Sequence, residues 1–228
     1  MGLARISSRK GRAVAVAVAA SGAVAIAVGG SSTANAQAAN GHWYSVAGST
    51  SAGIGARSTV YISGNSYAYD APTGGFIEQT LWQGSGGGNW TEVGWTQGWQ
   101  GSRGVYWYWA DQRPGGGYNE HLIGGAGPLY SYHDLDITRS ATITSQWVVS
   151  IDGSGYGLST GNGSAADTAE SGLESTSNLS NMDVTSASNL QWKNASGTWN
   201  SGWGNNTAVF PPATGSWKTV GTFWADAM

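Results

Sequence analysis

Five glutamates occur in the 228 residues, and their neighbourhoods are where chemistry could reside. In NWTEVGWTQGW (89–99), Glu92 stands among Trp90, Trp95 and Trp99. In ADTAESGLESTS, Glu170 and Glu174 lie four residues apart, on one face if the segment is a strand, with Gly172 leaving room between them. Glu78 in GFIEQTLWQ shares a strand face with Phe76, Thr80 and Trp82. Two carboxyl groups facing a common space can work without a metal. One takes a proton from water, the other gives one to the leaving group, and proximity drives their pKa values apart. Such a pair cuts peptide bonds in acid, or a glycosidic bond at separations of about 5–5.5 Å (retaining) or about 6.5–9.5 Å (inverting). Glu120 and His121, in RPGGGYNEHLIGG, place an acid and an imidazole on a glycine-rich connection that could form a binding rim. Each glutamate also has a plainer reading, as a solvated strand or loop residue.

The elements that position these residues are strands. After residue 36 the chain is built from Gly, Ser, Thr, Asn, Trp and Tyr, with few good helix formers. Short segments such as STVYISG, SYAYDAP, GFIEQTLWQG, GVYWYWADQ, ATITSQWVVSIDG, LQWKNASGTW and SWKTVGTFWAD are bounded by turn residues. The expected fold class is all-β, an antiparallel two-sheet sandwich. Two hairpins can be placed. TEVGWTQGW and GVYWYWAD are joined by QGSR, and QWVVSI returns through Asp152-Gly153. The polar stretch 161–181 reads as loop with a short strand inside it, and Pro211-Pro212 as an extended link.

Alternation puts Trp90 beside Glu92, sets Trp107 and Trp109 on one side of the next strand, and sets Tyr106 and Tyr108 on the other. A lone carboxylate is costly in an apolar core, so Glu92 belongs on the outer face. Trp90, Trp107, Trp109, Tyr106 and Tyr108, with Glu120 and His121, are therefore candidate substrate contacts. Aromatic rings stack on sugars or side chains while amides and carboxylates bond their polar edges.

The N-terminus reads as a secretory signal over residues 1–36. Arg5, Arg9, Lys10 and Arg12 precede an apolar, small-residue run that ends in Ala34-Asn35-Ala36. Cleavage there would leave one domain, 37–228, exported from the cell. Those 36 residues hold four of the ten Lys and Arg and none of the thirteen Asp and Glu. Six cations against thirteen acids give the remainder a net charge of −7, which argues against nucleic acid or an anionic membrane as partner. With no cysteine and three histidines, the chain is expected to use no cofactor and no metal, although calcium among Asp134, Asp136 and the Asn-rich loops stays open. The partner expected is an extracellular polymer, protein or polysaccharide, bound by a monomer.

Two motifs carry a resemblance. TEVGWTQGW followed by VYWYWAD is similar to the central strands of neprosin-domain proteins, and Ala169-Glu170-Ser171-Gly172-Leu173-Glu174 has the A-E-x-x-x-E spacing of the fungal glutamic peptidases. The surroundings differ, since the cysteine pair is missing and Ser and Gly replace bulky residues between the two glutamates. The resemblance implies a concanavalin-like jelly roll and a glutamic-type endopeptidase, with Glu92 matching the first carboxylate position and Glu174, or its close substitute Glu170, the second. The residues by themselves leave open a non-catalytic glycan-binding sandwich using exposed Trp and Tyr, a structural or interaction protein of the cell surface, and a two-carboxylate glycosidase.

Overall fold

In a computed structural model of the chain, the described residues are 43–62, 68, 71–84, 89–113, 115–126, 129–163, 165–177, 180, 182–201, 203–208, 214–219 and 222–227. The leader segment 1–36, Pro211-Pro212 and most of SYAYD lie outside them. Among these residues fifteen strands form: β1 (Trp43–Ser49), β2 (Gly55–Tyr61), β3 (Ile77–Gln83), β4 (Trp90–Gln97), β5 (Val105–Arg113), β6 (Gly117–Gly125), β7 (Tyr132–Arg139), β8 (Trp147–Ile151), β9 (Ser154–Ser159), β10 (Ala169–Ser175), β11 (Met182–Lys193), β12 (Trp199–Asn200), β13 (Trp203–Ala208), β14 (Thr214–Thr219) and β15 (Thr222–Ala227). Two 3-10 turns, Ala71–Thr73 and Trp99–Gly101, are the only helical pieces among the described residues.

The strands make two sheets. One runs β13-β1-β10-β3-β4-β5-β6 and the other β14-β15-β11-β2-β7-β8-β9, with β12 beside β11. Every pairing is antiparallel, so the all-β sandwich read from short strands and turn residues is the architecture found. Both expected hairpins form, β4 with β5 and β8 with β9. In the second, Asp152 and Gly153 take φ of 50° and 75°, the left-handed pair of a type I′ turn.

The core lies between the sheets. Leu81, Val93, Trp95, Trp107, Trp109 and Leu173 from the first sheet meet Val60, Leu135, Ile137, Trp147, Val149 and Leu190 from the second. Gln79 spans the layers, donating to the Ser186 carbonyl at 2.9 Å and accepting from Trp95 Nε1 at 3.0 Å. Its buried amide is thus satisfied on both ends, as a polar group between two sheets must be.

The stretch 161–181 does hold a strand between loop segments: β10, seven residues paired on one side with β1 and on the other with β3, so that it lies in the interior of the sheet. Its two serines, Ser171 and Ser175, are fully buried. Two sequence expectations change. Glu120 and His121 do not sit on a loop, since residues 117–125 form the edge strand β6. There the glycines lie at the ends, Gly117 and Gly124 taking positive φ where the strand starts and bulges. Second, Trp107 and Trp109 face inward. They pair with Trp95 and Val93 across β4, are 7% and 8% exposed, and fill the core rather than line a groove.

Candidate active site

The register of the first sheet turns scattered glutamates into a surface. Reading across the strands, Glu170, Trp82, Glu92, Ala110 and Glu120 are successive partners in one row. Two residues along, Gly172, Thr80, Gly94, Tyr108 and Leu122 form the next row, and Glu174, Glu78, Thr96 and Tyr106 a third. Because side chains alternate along a strand, all three rows project from the face turned away from the core. All five glutamates of the chain therefore stand on one face of one sheet, flanking a middle row that carries glycine at two of its five positions.

Gly94 forms the floor by necessity. A Cβ there would lie 2.2 Å from the Gln79 carbonyl oxygen and 2.8 Å from Thr80 Oγ1. No side chain fits without separating β3 from β4. Across that floor Thr80 Oγ1 and the Tyr108 hydroxyl are 2.7 Å apart, and the same phenol hydrogen-bonds Glu78.

Glu92 is held on several sides. Trp90 Nε1 donates to Oε2 at 2.9 Å, the Tyr118 hydroxyl donates to Oε1 at 2.6 Å, and Trp82 adds a further bond. The rings of Trp90 and Tyr118 lie 6.2 Å apart. Glu78, Glu92 and Glu174 are 5%, 3% and 8% exposed, so their charges are poorly solvated. Burial pushes Glu92 up to about 7. The hydrogen bond from Tyr118 resists this, the charge of Glu174 adds to it, and Trp90 and Trp82 resist further. Burial, then the charges of Glu174, Glu92 and Glu120, raise Glu78 well above the usual carboxylate range against the Tyr108 hydrogen bond. Glu120 is pushed up to about 8 by desolvation and then by Glu92, although as an exposed rim residue it meets more screening water than the other two. The phenols of Tyr108 and Tyr118 are raised by burial, then by the neighbouring carboxylates.

The structure thus brings Glu92, Glu174, Glu78, Glu120, Trp90, Tyr106 and Tyr108 to one face. Glu170 shares the face but stands beyond Trp82, and its carboxyl is raised by burial and then by Asp167 rather than by the central group. His121 points to the opposite side, stacked on Trp109 with ring centroids 4.0 Å apart. Thr80 and Trp82 lie on the face of Glu78 as alternation placed them, whereas Tyr118 is a contact that sequence reasoning did not single out. Tyr118 was hidden by its run of preceding glycines, although it stands two residues before Glu120 and shares its face once β6 is a strand. Among the described residues, no group of three or more His, Cys, Asp or Glu is disposed to hold a metal ion. Asp134 instead accepts from Thr59 Oγ1 at 2.6 Å, and Asp136 pairs with Arg57 at 3.2 Å.

A buried set of carboxyl groups with separated proton affinities can carry out acid–base chemistry on a bound polymer. No protein-family model matches the chain, and no curated protein matches it by sequence. Solved structures do share its fold. A crystal structure of scytalido-glutamic peptidase with a transition state analog inhibitor superposes at a TM-score of 0.57 and 10% identity, covering 82% of this chain and 98% of that one. A second, with a peptide based transition state analog, gives 0.52 and 8% over the same shares. A Bacillus licheniformis beta-glucanase reaches 0.37 at 14% identity, over 54% of this chain and 53% of that one, too loose a match to weigh. At such identities the likeness establishes the two-sheet sandwich and nothing finer. The resemblance to neprosin-domain proteins rests on sequence motifs alone.

Proposed function

We propose that the protein is an acid hydrolase that cleaves peptide bonds with Glu92 and Glu174. The observation that carries this reading is the gathering of all five glutamates on one sheet face, three of them buried and acting on one another. The fold shared with scytalido-glutamic peptidase supports it, and the leader-like N-terminus suits an enzyme that works outside the cell.

The roles follow from the electrostatics. Burial holds the proton on Glu92 up to about 7, which makes Glu92 the acid of the pair and assigns the base to Glu174, the buried carboxyl at the other side of the glycine row. Below neutrality Glu92 keeps its proton. An extended peptide lying over the Gly172–Thr80–Gly94 row would meet both groups. Glu174 accepts a proton from the attacking water as the water oxygen bonds to the carbonyl carbon, the C–N bond breaks as Glu92 donates its proton to the leaving nitrogen, and the proton on Glu174 returns to Glu92 through solvent. Trp90 and Tyr118 fix the Glu92 carboxyl, which favours positioning over search. Glu78, opposite Glu174 in the register and raised chiefly by burial, holds its own proton.

The alternative, a non-catalytic glycan-binding face of exposed Trp and Tyr, would rest on tyrosines such as Tyr118, 39% exposed beside Glu92, more than on tryptophans. Of the tryptophans whose side chains are described, none is exposed.

The test is digestion of an unfolded protein substrate by the purified protein from about pH 3 to about pH 7. Cleavage should be confined to the acid side. Glu92→Gln and Glu174→Gln should each lower it by at least about a hundredfold, while Glu170→Gln retains most of it. Absence of cleavage by folded protein, or cleavage surviving both substitutions, rejects the reading.

A further inference from the structure

At the end of the second sheet, away from the glutamate face, the chain assembles another set of polar side chains. Ser131 immediately precedes β7, His133 is the second residue of that strand, and Asp152 occupies the turn between β8 and β9. Ser131 Oγ lies 2.7 Å from His133 Nε2, and His133 Nδ1 lies 2.7 Å from Asp152 Oδ2. Serine, imidazole and carboxylate stand in one hydrogen-bonded line, the order needed to activate a hydroxyl.

Local sequence explains the alignment. Ser131 and His133 are two apart, so they share a side of the chain. The Asp152-Gly153 turn swings the Asp152 carboxylate back over β7, where its Oδ1 accepts the Asp134 N–H at 2.9 Å. The Asp152 N–H in turn donates to the Asp134 carbonyl at 2.8 Å. In the tautomer that donates from Nδ1 to Asp152, Nε2 is the nitrogen that receives a proton from Ser131. Trp107 meets the His133 ring edge-on, with centroids 5.1 Å apart, and limits its rotation.

Two backbone features fit a reacting centre. Tyr130, just before Ser131, is a non-glycine residue at φ 62°, a strained conformation of the kind that gathers at functional sites. The Ser131 carbonyl accepts the Ile62 N–H at 2.9 Å, on the β2 side of the chain. Alternation then sends the Tyr132 N–H to the other edge, where pairing of β7 with β8 has already ended at Leu135 and Ile151. That N–H, next to the nucleophile, is the donor an oxyanion would use. Exposed Leu129 and Tyr130 supply apolar surface on the approach.

We propose that Ser131, His133 and Asp152 form a second hydrolytic site, serine-centred and specific for small carboxylic esters with apolar acyl groups. Ser131 Oγ bonds to the ester carbonyl carbon as its proton passes to His133 Nε2. The C–O bond to the alcohol breaks, and the alcohol leaves with that proton. Water then adds to the acyl-serine, giving a proton to His133. Serine is released and takes the proton back, leaving the carboxylic acid.

The experiment treats the purified protein with an alkyl fluorophosphonate and, separately, with p-nitrophenyl butyrate in mildly alkaline buffer. The phosphonyl group should appear on Ser131 by peptide mass spectrometry, with loss of fluoride. Ester turnover should fall at least about tenfold in Ser131→Ala and in His133→Gln. Asp152, a positioning residue, should lower kcat with KM unchanged when replaced by Asn, and Asp152→Glu should recover part of the loss. Circular dichroism melts check that each variant folds. No label on Ser131 of the folded wild-type protein, or turnover unchanged in Ser131→Ala, overturns the proposal and leaves a clip that ties β7 to the β8–β9 turn.

Discussion

A glutamate whose proton is held to about pH 7 works against folding once it ionises. For Glu92 the folded chain binds the proton more tightly than the unfolded chain does. The resulting stabilisation is full below the unfolded value of 4.5 and is lost as pH rises through about 7. Glu92→Gln keeps an oxygen to accept from Tyr118 or Trp90 and removes the ionisation. It should therefore stabilise the protein by about 1–3 kcal/mol above neutrality, and by almost nothing near pH 4, while abolishing the proposed acid proteolysis. Urea denaturation at the two pH values reads the first effect and the digestion assay the second. A variant less stable than wild type above neutrality would mean that the lost hydrogen-bond geometry outweighs relief of the buried charge, and the held proton would have to be assigned elsewhere. Glu92 drew notice in the sequence as a carboxylate in an aromatic strand, and Glu174 through the A-E-x-x-x-E spacing that it shares with the fungal glutamic peptidases. Tyr118 could not be picked out there, because its contribution exists only when β6 lies beside β5 and brings its hydroxyl to Glu92.

At the scale of strands, local signals served well wherever the structure is local. The β4–β5 and β8–β9 hairpins join neighbours in sequence through short turns, and both could be read from turn residues and alternation. Sheet order could not. Nothing within β10 says that it sits between β1 and β3, partners roughly 125 and 90 residues away in register. The inward turn of Trp107 and Trp109 is a parity problem of the same kind. Both faces of VYWYW carry aromatics, and only the pairing of Glu92 with Ala110 puts the tyrosines with the glutamate and the tryptophans in the core. Close approach of β3 and β4 is what makes the glutamate face continuous, and it rests on Gly94. Gly94→Ala places a methyl 2.2 Å from a backbone oxygen, which neither strand can yield without loosening its ladder. The expected cost is about 2–4 kcal/mol, with proteolysis lost together with stability, measured by thermal melts alongside the digestion assay. A variant of wild-type stability would show that the two strands can separate locally, and the fixed floor assigned to the site would be wrong.

Across the whole molecule, four of the five glutamates have their proton affinity raised, each chiefly by desolvation. The signs agree. Each of these groups favours the folded state when protonated, so their combined contribution grows as pH falls from about 8 toward about 5. The protein should melt at a higher temperature in mild acid than in mild alkali, the condition in which an acid hydrolase operates. General self-repulsion would give the same trend, since a chain with thirteen acids and ten bases sheds net negative charge on acidification. The two causes separate by location. Replacing Glu78, Glu92 and Glu120 together with Gln removes three ionisations from the glutamate face, whereas changing the exposed Asp134 to Asn and the exposed Thr144 and Ser145 to Lys shifts the net charge by as much at the surface. If the glutamate face is the source, calorimetry of the triple variant will show a melting temperature almost flat between pH about 5 and about 8, and the surface variant will keep the wild-type slope. If self-repulsion dominates, both variants will flatten in proportion to the charge removed, and the glutamate face will have no special part in setting how stability depends on pH.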